Sequence, residues 1–353
     1  MYKSPLHQMA LTTPTQFWND NCDPADIAFA MEHGAVGATT NPVIVGQVLS
    51  AHLDVYTPLI RSLISQHPTA SEDDLVWLVN EYMAVTAAKL FEPVFQQTEG
   101  RAGFVSIQTN TKYHNHADKT LQQALAFAKL APNMMVKMPV TSAGVTAIEE
   151  ATYHGVNVNA TVSFSVAQAL AVAEAVARGM QRRTGEGLSN SHLYPTCTLM
   201  VGRMDDWLQT VADKQGIIVD PQAITMSGVA VFKRAYSLYQ AKGYHTRLLS
   251  AAYRHHHHWS AFIGGEISQT IPANWIQRFA SSDITVAHRM DVPVAPPLIE
   301  QLRTHFTDFN RAYEPYGMTV DEFDTFGPTV KTLNQFLDGY DKMVALVRGI
   351  MLS

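Results

Sequence analysis

A single lysine lies inside an otherwise apolar run of the sequence, in MVKMPVTSAG (residues 135–144). An amine in such surroundings is poorly hydrated, so its pKa falls and the neutral form can attack a carbonyl carbon to form a Schiff base. A lysine can also lay its stem along an apolar surface and keep its ammonium group in water. Lys137 is therefore either a nucleophile or an ordinary strand residue, and the surrounding elements must distinguish the two.

Short β-rich runs alternate with longer helical stretches, which is typical of βαβ units and a parallel sheet. We predict eight strands: Gln16–Asp20, Ala35–Thr39, Gly103–Gln108, Met134–Met138, Asn157–Val162, His192–Cys197, Thr246–Ala251 and Trp259–Ile263. Helical spacing predicts helices over Asp23–Glu32, Leu75–Phe91, Ala117–Leu130, Ser142–Tyr153 and Ser165–Arg178, and a helical tail from Pro296. The expected fold class is α/β, a (β/α)8 TIM barrel. We expect one domain over residues 1–353, with residues 296–353 as a helical C-terminal extension.

Polar residues that could bind or react with a substrate follow the predicted strands at one end. In strand order they are Asp20, Asn41, Gln108, Lys137, Asn159 with Thr161, Arg203 and Arg254. Catalytic residues of a (β/α)8 barrel stand at the carboxyl ends of its strands. This placement favours a catalytic role for Lys137.

Composition narrows the class of partner. The net charge of −6 argues against nucleic acid, because phosphate backbones need a basic surface. The sequence contains no run of about 18 apolar residues, so it predicts no membrane-spanning helix. The first residues have no apolar segment typical of a signal peptide, and two cysteines cannot form a disulfide framework. We therefore expect a cytoplasmic protein.

Four consecutive histidines, His255–His258, are a weak metal signal. Successive side chains on a helix or strand point in different directions, so the four cannot all reach one ion. The run also lacks the carboxylate or cysteine partners of usual metal sites. We expect no metal site, and the run has no assigned role.

Several segments together resemble the transaldolase family. They are GAVGATTNPVIV, MVKMPVTSAGVTAIEEATYHGVNVNATVSFSVAQALAVAEA, VGRMDDW and FGPTVKTLNQFLDGYDKMVALV. The resemblance extends from residue 16 to about residue 347. It implies a class I mechanism without metal or cofactor, in which Lys137 forms an imine with a ketose phosphate. A dihydroxyacetone unit would then pass to an aldose phosphate. It also implies a homo-oligomer.

The resemblance assigns further roles residue by residue. Asp20 matches the acid/base aspartate, although it could instead cap the helix that begins at Asp23. Asn41 and Asn159 match the asparagines that hold the dihydroxyacetone hydroxyls. Asn41 could alternatively serve only the turn of its Thr-Asn-Pro sequence. Thr161 matches the threonine that orients the catalytic water.

Three more positions are assigned to substrate contacts. Thr198 matches a serine that contacts the substrate. Arg203 and Arg254 match two arginines that bind the terminal phosphate, a role suited to the planar guanidinium fork. A surface ion pair is the alternative for each arginine.

Two positions depart from the usual transaldolase pattern. Gln108 stands where many transaldolases carry glutamate, and a glutamine can hold a water but cannot take its proton. The related fructose-6-phosphate aldolases also carry glutamine there and release free dihydroxyacetone. Met200 stands where transaldolases have phenylalanine and those aldolases have tyrosine. Three functions remain open. They are transfer of a dihydroxyacetone unit, cleavage of a sugar phosphate with release of free dihydroxyacetone, and binding of a sugar phosphate without catalysis.

Overall fold

The computed structural model describes residues 2–353, in which eight parallel strands close into a barrel with β8 beside β1. The strands are β1 Gln16–Asn19, β2 Gly37–Thr39, β3 Phe104–Gln108, β4 Met134–Pro139, β5 Val158–Ser163, β6 Thr196–Leu199, β7 Arg247–Ser250 and β8 Ser268–Ile271. The strands alternate with helices, and further helices follow β8. The predicted (β/α)8 barrel with C-terminal helices is confirmed.

Sixteen α-helices occur in the described part of the chain. They are α1 Pro5–Thr12, α2 Pro24–Glu32, α3 Pro42–Ala51, α4 Leu53–Gln66, α5 Glu72–Gln97, α6 Ala117–Phe127, α7 Ser142–Tyr153, α8 Val166–Gly185, α9 Val201–Gln215, α10 Pro221–Thr225, α11 Ser227–Lys242, α12 His257–Ser260, α13 Ala273–Ala280, α14 Pro296–His305, α15 Thr307–Tyr313 and α16 Gly327–Met351. Short 3-10 helices occupy Thr111–Tyr113 and Val320–Thr325. The five predicted helices are all present, with shifted ends in four of them.

The prediction of the eighth strand over Trp259–Ile263 is wrong. Those residues form the end of α12 and the turns after it, and the eighth strand is β8, which begins nine residues after Trp259. Trp259, Phe262 and Ile263 stand at positions i, i+3 and i+4 and are all buried, a spacing that suits one face of a helix or helical turn better than a strand. β8 has the sequence SQTI, whose polar residues hide it from a search for apolar runs. The sixth strand begins at Thr196, after Pro195, rather than at His192.

Polar residues that follow the strands also begin the helices. The side chains of Asp23, Asn41, Thr141 and Ser165 accept hydrogen bonds from backbone N–H groups in the first turns of α2, α3, α7 and α8. Such caps satisfy donors that have no partner inside the helix. A polar residue at a strand end is therefore not by itself a catalytic residue.

The C-terminal helix α16 covers part of the carboxyl end of the barrel. Its buried Tyr340 and Met343 share an apolar cluster with Val45 of α3. Gly339 allows a close approach, because a Cβ there would lie 2.5 Å from Val43. One turn earlier, Phe336 lines a small cavity at the strand ends. This packing makes α16 a wall of the candidate site.

The remaining helices cover the outside of the barrel. Ala84, Ala87 and Ala88 of α5 are buried in the same apolar cluster as Phe104 of β3. Small residues at helical spacing let a helix approach a strand closely. No single helix within residues 2–353 is long and apolar enough to span a membrane, and only α3 and α4 taken together across a 116° bend meet that standard.

Candidate active site

Lys137 lies in the middle of three aligned polar residues. The Cα register pairs Gln108 of β3 with Lys137 of β4, and Lys137 with Asn159 of β5. The Asn159 amide donates to Ser106 Oγ of β3 at 3.1 Å, two strands away. Only side chains inside the barrel can make this contact. Residues in register point to the same face, so all three enter the barrel interior side by side.

The Lys137 amine is held in dry surroundings. The residue is 3% exposed, and its neighbours in β4, Val136 and Met138, are fully buried. Burial lowers the pKa of Lys137, and the positive charge of Arg203 lowers it further, whereas the carboxylate of Asp20 opposes the shift. In residues 2–353 we find no hydrogen bond or ion pair to its Nζ atom. Burial shifts this amine towards its neutral form, which is the form that can act as a nucleophile.

Asp20 follows β1 and is the carboxylate that faces this amine. Burial raises the pKa of Asp20, while the charge of Lys137, the Thr39 hydroxyl and the charge of Arg203 act in the opposite direction. Thr39 Oγ1 donates to Asp20 Oδ1 at 2.6 Å. Asp23, not Asp20, caps α2, so the alternative role for Asp20 is not the one observed. A raised carboxyl pKa beside a lowered amine pKa is typical of an acid/base pair.

Gln108 and Thr161 line a cavity just large enough for one water molecule. Its volume is about 10 Å³, and Leu333 and Phe336 of α16 form its outer wall. Gln108 Nε2 donates to Thr111 Oγ1 at 3.3 Å. Gln108 Oε1 and Thr161 Oγ1 are both buried and have no hydrogen-bond partner in the described chain. Buried polar atoms rarely lack a partner, so a water in this cavity is the simplest way to satisfy both.

Thr198 holds the Asn159 amide in place. Thr198 Oγ1 donates to Asn159 Oδ1 at 2.6 Å, and both residues are fully buried. Together with the Ser106 contact, this fixes the orientation of the amide before any ligand arrives. Thr198 is thus a support of Asn159.

The Asn41 side chain caps α3, which is one of the two roles considered for it. Its Oδ1 accepts hydrogen bonds from Val43 N at 2.9 Å and Ile44 N at 3.1 Å, which caps α3. The side chain is nearly buried at the carboxyl end of β2. Its amide nitrogen takes no part in the cap and is the atom that could still donate to a ligand.

Arg203 lies in the first turn of α9. Burial, and then the charge of Arg254, lower its pKa to about 10, so it stays cationic near neutral pH. Its Nη1 donates to Gln335 of α16, and its guanidinium lies 5.5 Å from the centre of the Phe336 ring. The buried Nε has no partner among residues 2–353. Arg203 is a cation with unused donor capacity.

Arg254 is more exposed than Arg203 and is paired. Its Nε and Nη2 donate to Asp206 of α9 at 2.7–3.1 Å, and its Nη1 donates to the carbonyls of Ala252 and Tyr253. The surface ion pair considered for this residue is therefore present. The two arginines are close enough for the charge of one to lower the pKa of the other.

Three side chains outside the predicted set approach one another behind these arginines. Asp205, His255 and His258 bring one ligand-type atom each within 4.8 Å. Two residues of the histidine run therefore share one carboxylate, which the sequence analysis missed. The spacing i, i+3 within the run, together with the acidic pair in VGRMDDW, was the available signal.

The cavities of the structure differ in what they could bind. A cavity of about 400 Å³ opens beside Asp20 and is lined also by Asn21, Ile44, Pro272 and Gln277. A larger cavity of about 510 Å³ lies at the opposite end of the barrel, where Gln16, Phe104, Thr196 and Ser268 begin or enter their strands. We assign the chemistry to the first end, because it carries the amine and the carboxylate.

Comparison with known proteins identifies the family of the chain. A model of the family described as transaldolase/fructose-6-phosphate aldolase matches residues 17–324. The chain is 30% identical to Transaldolase 2 of Streptomyces avermitilis over 58% of its length and 55% of the relative's. Transaldolases of Neisseria meningitidis serogroup A and Thermobifida fusca are also 30% identical, over 55% and 60% of this chain and 57% and 56% of theirs. The matched segments thus span little more than half the length of these relatives.

Proposed function

Because the chain belongs to the transaldolase/fructose-6-phosphate aldolase family, we propose that it transfers a dihydroxyacetone unit between sugar phosphates through a Schiff base. The donor would be fructose 6-phosphate or sedoheptulose 7-phosphate, and the acceptor an aldose phosphate. The observation that carries the proposal is the buried Lys137, whose lowered pKa and alignment with Gln108 and Asn159 suit a nucleophile facing Asp20. No metal or organic cofactor enters this reaction.

The reaction begins when the neutral amine of Lys137 attacks the ketone carbon of the donor. Loss of water gives an iminium, which is the electron sink for cleavage of the bond between C3 and C4. Asp20 takes the proton from the C4 hydroxyl as the aldehyde leaves, and its raised pKa makes it a stronger base. The enamine left on Lys137 then adds to the acceptor aldehyde while Asp20 returns the proton. Hydrolysis of the new imine releases the product.

Other residues of the site position the substrate and water. Asn159, fixed by Thr198 and Ser106, would bind a hydroxyl of the dihydroxyacetone unit, and the free amide nitrogen of Asn41 would bind another. Thr161 would orient the water that adds to or leaves the imine. Gln108 would hold the same water without taking its proton.

The terminal phosphate would bind at the two arginines. Arg203 has an unpartnered Nε, and Arg254 stands beside it with a guanidinium fixed by Asp206. Guanidinium groups pair with phosphate oxygens in a planar fork, which gives orientation as well as affinity. Binding of the phosphate there would hold the ketone carbon close to the amine of Lys137.

A second candidate function is cleavage with release of free dihydroxyacetone. Gln108 favours it, since the aldolases of this family are expected to carry glutamine at this position. Met200 disfavours it, because a methionine has no hydroxyl to activate water for protonation of the enamine. A barrel that binds sugar phosphates without catalysis is the third candidate, and it leaves the depressed pKa of Lys137 without a purpose.

Mass spectrometry after borohydride reduction distinguishes these functions. The protein is incubated with fructose 6-phosphate, with and without erythrose 4-phosphate. For a transaldolase we expect a dihydroxyacetone adduct on Lys137 that disappears when the acceptor is present. An adduct unaffected by acceptor, with free dihydroxyacetone accumulating, would indicate an aldolase. The absence of any adduct with fructose 6-phosphate and with sedoheptulose 7-phosphate, tested in the same way, would refute both enzyme functions. The expectation of a homo-oligomer stays a prediction.

A further inference from the structure

Two consecutive aspartates of α9 hold both the backbone and the side chain of Arg254. Asp206 binds the guanidinium group, as described above. Asp205 Oδ2 accepts from His258 Nε2 at 2.9 Å, and His258 Nδ1 accepts from the backbone N–H of Arg254 at 3.0 Å. Asp205 thus reaches the backbone of Arg254 through one imidazole ring.

The Asp205 carboxylate is fully engaged. Its Oδ1 accepts from Ser227 Oγ at 2.8 Å and from Gly228 N at 2.9 Å, and its Oδ2 also meets His255 Nε2 at 3.1 Å. Burial alone would raise its pKa, but its interactions with His258 and His255 and the hydrogen bond from Gly228 N outweigh burial and lower it. Asp205 therefore stays ionised and ties α9, α11 and the segment after β7 together.

Proton positions argue against a metal ion at this cluster. His258 Nδ1 faces an N–H donor, so the ring proton of neutral His258 is on Nε2, which then donates to Asp205. A histidine that bound a metal through Nε2 would carry its proton on Nδ1, where it would oppose the Arg254 N–H. The cluster is built as a chain of hydrogen bonds.

The same elements are in contact at Gly202, the residue before Arg203. A Cβ at this position would lie 1.9 Å from the carbonyl oxygen of Ala252 and 2.8 Å from Arg254 Cγ. Ala252 itself has a φ of 65°, a conformation that costs energy for a residue other than glycine. The segment that carries Arg254 is therefore held in a strained path directly against the turn that carries Arg203.

We propose that His258 and Asp205 are positioning residues that set the place of Arg254 relative to Arg203 and so create the site for a phosphate monoester. This inference rests on the proposed function only for the identity of the ligand. It accounts for one member of the histidine run in particular, because His258 alone connects Asp205 to the Arg254 backbone.

A double-mutant cycle tests the proposal, with calorimetric binding of inorganic phosphate as the readout. We expect His258→Ala to raise the dissociation constant roughly 3- to 10-fold, the range of one net hydrogen bond. In the Arg254→Ala background the same substitution should change it less than about twofold, because the effect passes through Arg254. Equal effects in both backgrounds would overturn the proposal, because a general loss of fold stability would weaken phosphate binding whether or not Arg254 is present.

His257→Ala is the matched control, because His257 belongs to the same run but makes no contact with Asp205 in the described chain. It should leave phosphate affinity unchanged. His258→Asn provides a variant that keeps an acceptor near Nδ1, should the alanine variant fail to fold. It should bind phosphate more tightly than the His258→Ala protein, because it keeps an acceptor for the Arg254 N–H, and more weakly than the unsubstituted protein, because it loses the hydrogen bond to Asp205. A loss as large as that of Arg254→Ala would contradict the assigned role.

Steady-state kinetics separates this inference from the proposed function. His258→Ala should raise KM for a phosphorylated donor and leave kcat and the reductive trapping of unphosphorylated dihydroxyacetone unchanged. Phosphate affinity that falls with His258→Ala in a protein that forms no adduct would refute the function and retain the inference. A protein that forms the adduct but binds no phosphate would overturn the inference alone.

Discussion

Removal of the Arg203 guanidinium should weaken the use of phosphorylated substrates selectively. The unpartnered Nε and the Nη1 now donating to Gln335 give this residue two donors for a phosphate oxygen. A pKa of about 10 leaves it charged at pH 7 to 8. One charge-assisted hydrogen bond contributes about 1.5–3 kcal/mol, so Arg203→Ala should lower kcat/KM for fructose 6-phosphate roughly 10- to 150-fold.

The assay compares this donor with unphosphorylated fructose or dihydroxyacetone, using initial rates with unphosphorylated glyceraldehyde as acceptor, so that no acceptor phosphate depends on Arg203. The unphosphorylated donors should lose less than about threefold, because they make no ionic contact with Arg203. Arg203→Lys should fall between, since it keeps the charge and loses the fork. Arg101→Ala, at the opposite end of the barrel, is a control that should change neither. An equal loss with phosphorylated and unphosphorylated donors would refute the phosphate role of Arg203.

Three other predictions concern the reacting groups. Lys137→Ala and Lys137→Arg should abolish turnover and the trapped adduct while circular dichroism stays unchanged, and residual turnover in either would exclude the Schiff base. Asp20→Asn should lower kcat about 10²- to 10⁴-fold. The same substitution should lower the pH at which Lys137 can be trapped, because the Asp20 carboxylate raises the pKa of that lysine. A trapping profile that moves to higher pH would show that the two charges do not interact as described. Gln108→Glu should add an ionisation to the acid limb of the pH–rate profile. An unchanged profile would show that no reacting water lies beside this residue.

The sequence predicts the position of a strand well where that strand contains an unusual residue. Lys137 stands out because it interrupts an apolar run, and its strand was predicted to within one residue of the observed Met134–Pro139. The alternation of strands and helices predicted the barrel even though one strand was misplaced. β8 escaped because Ser268 and Thr270 fill an interior position where an apolar residue was expected.

Contacts between elements that are distant along the chain could not be predicted from local sequence patterns. The alignment of Gln108, Lys137 and Asn159 depends on the register of three strands, which local patterns do not specify. The turn role of Asn41 and a surface ion pair for Arg254 were considered as alternatives, but without a partner for either side chain. Choosing between them required knowing which backbone N–H groups and which carboxylate lie nearby.

The position of α16 has a consequence for the order in which the candidate site is assembled during synthesis. All eight strands precede α16 along the chain, so a growing polypeptide can close the barrel before the wall formed by Leu333 and Phe336 has been made. Until then, the water cavity beside Thr161 is open and Arg203 lacks its contact with Gln335. A nascent barrel would be folded and would lack this wall, and proteolysis within residues 327–351 would return a finished molecule to that state.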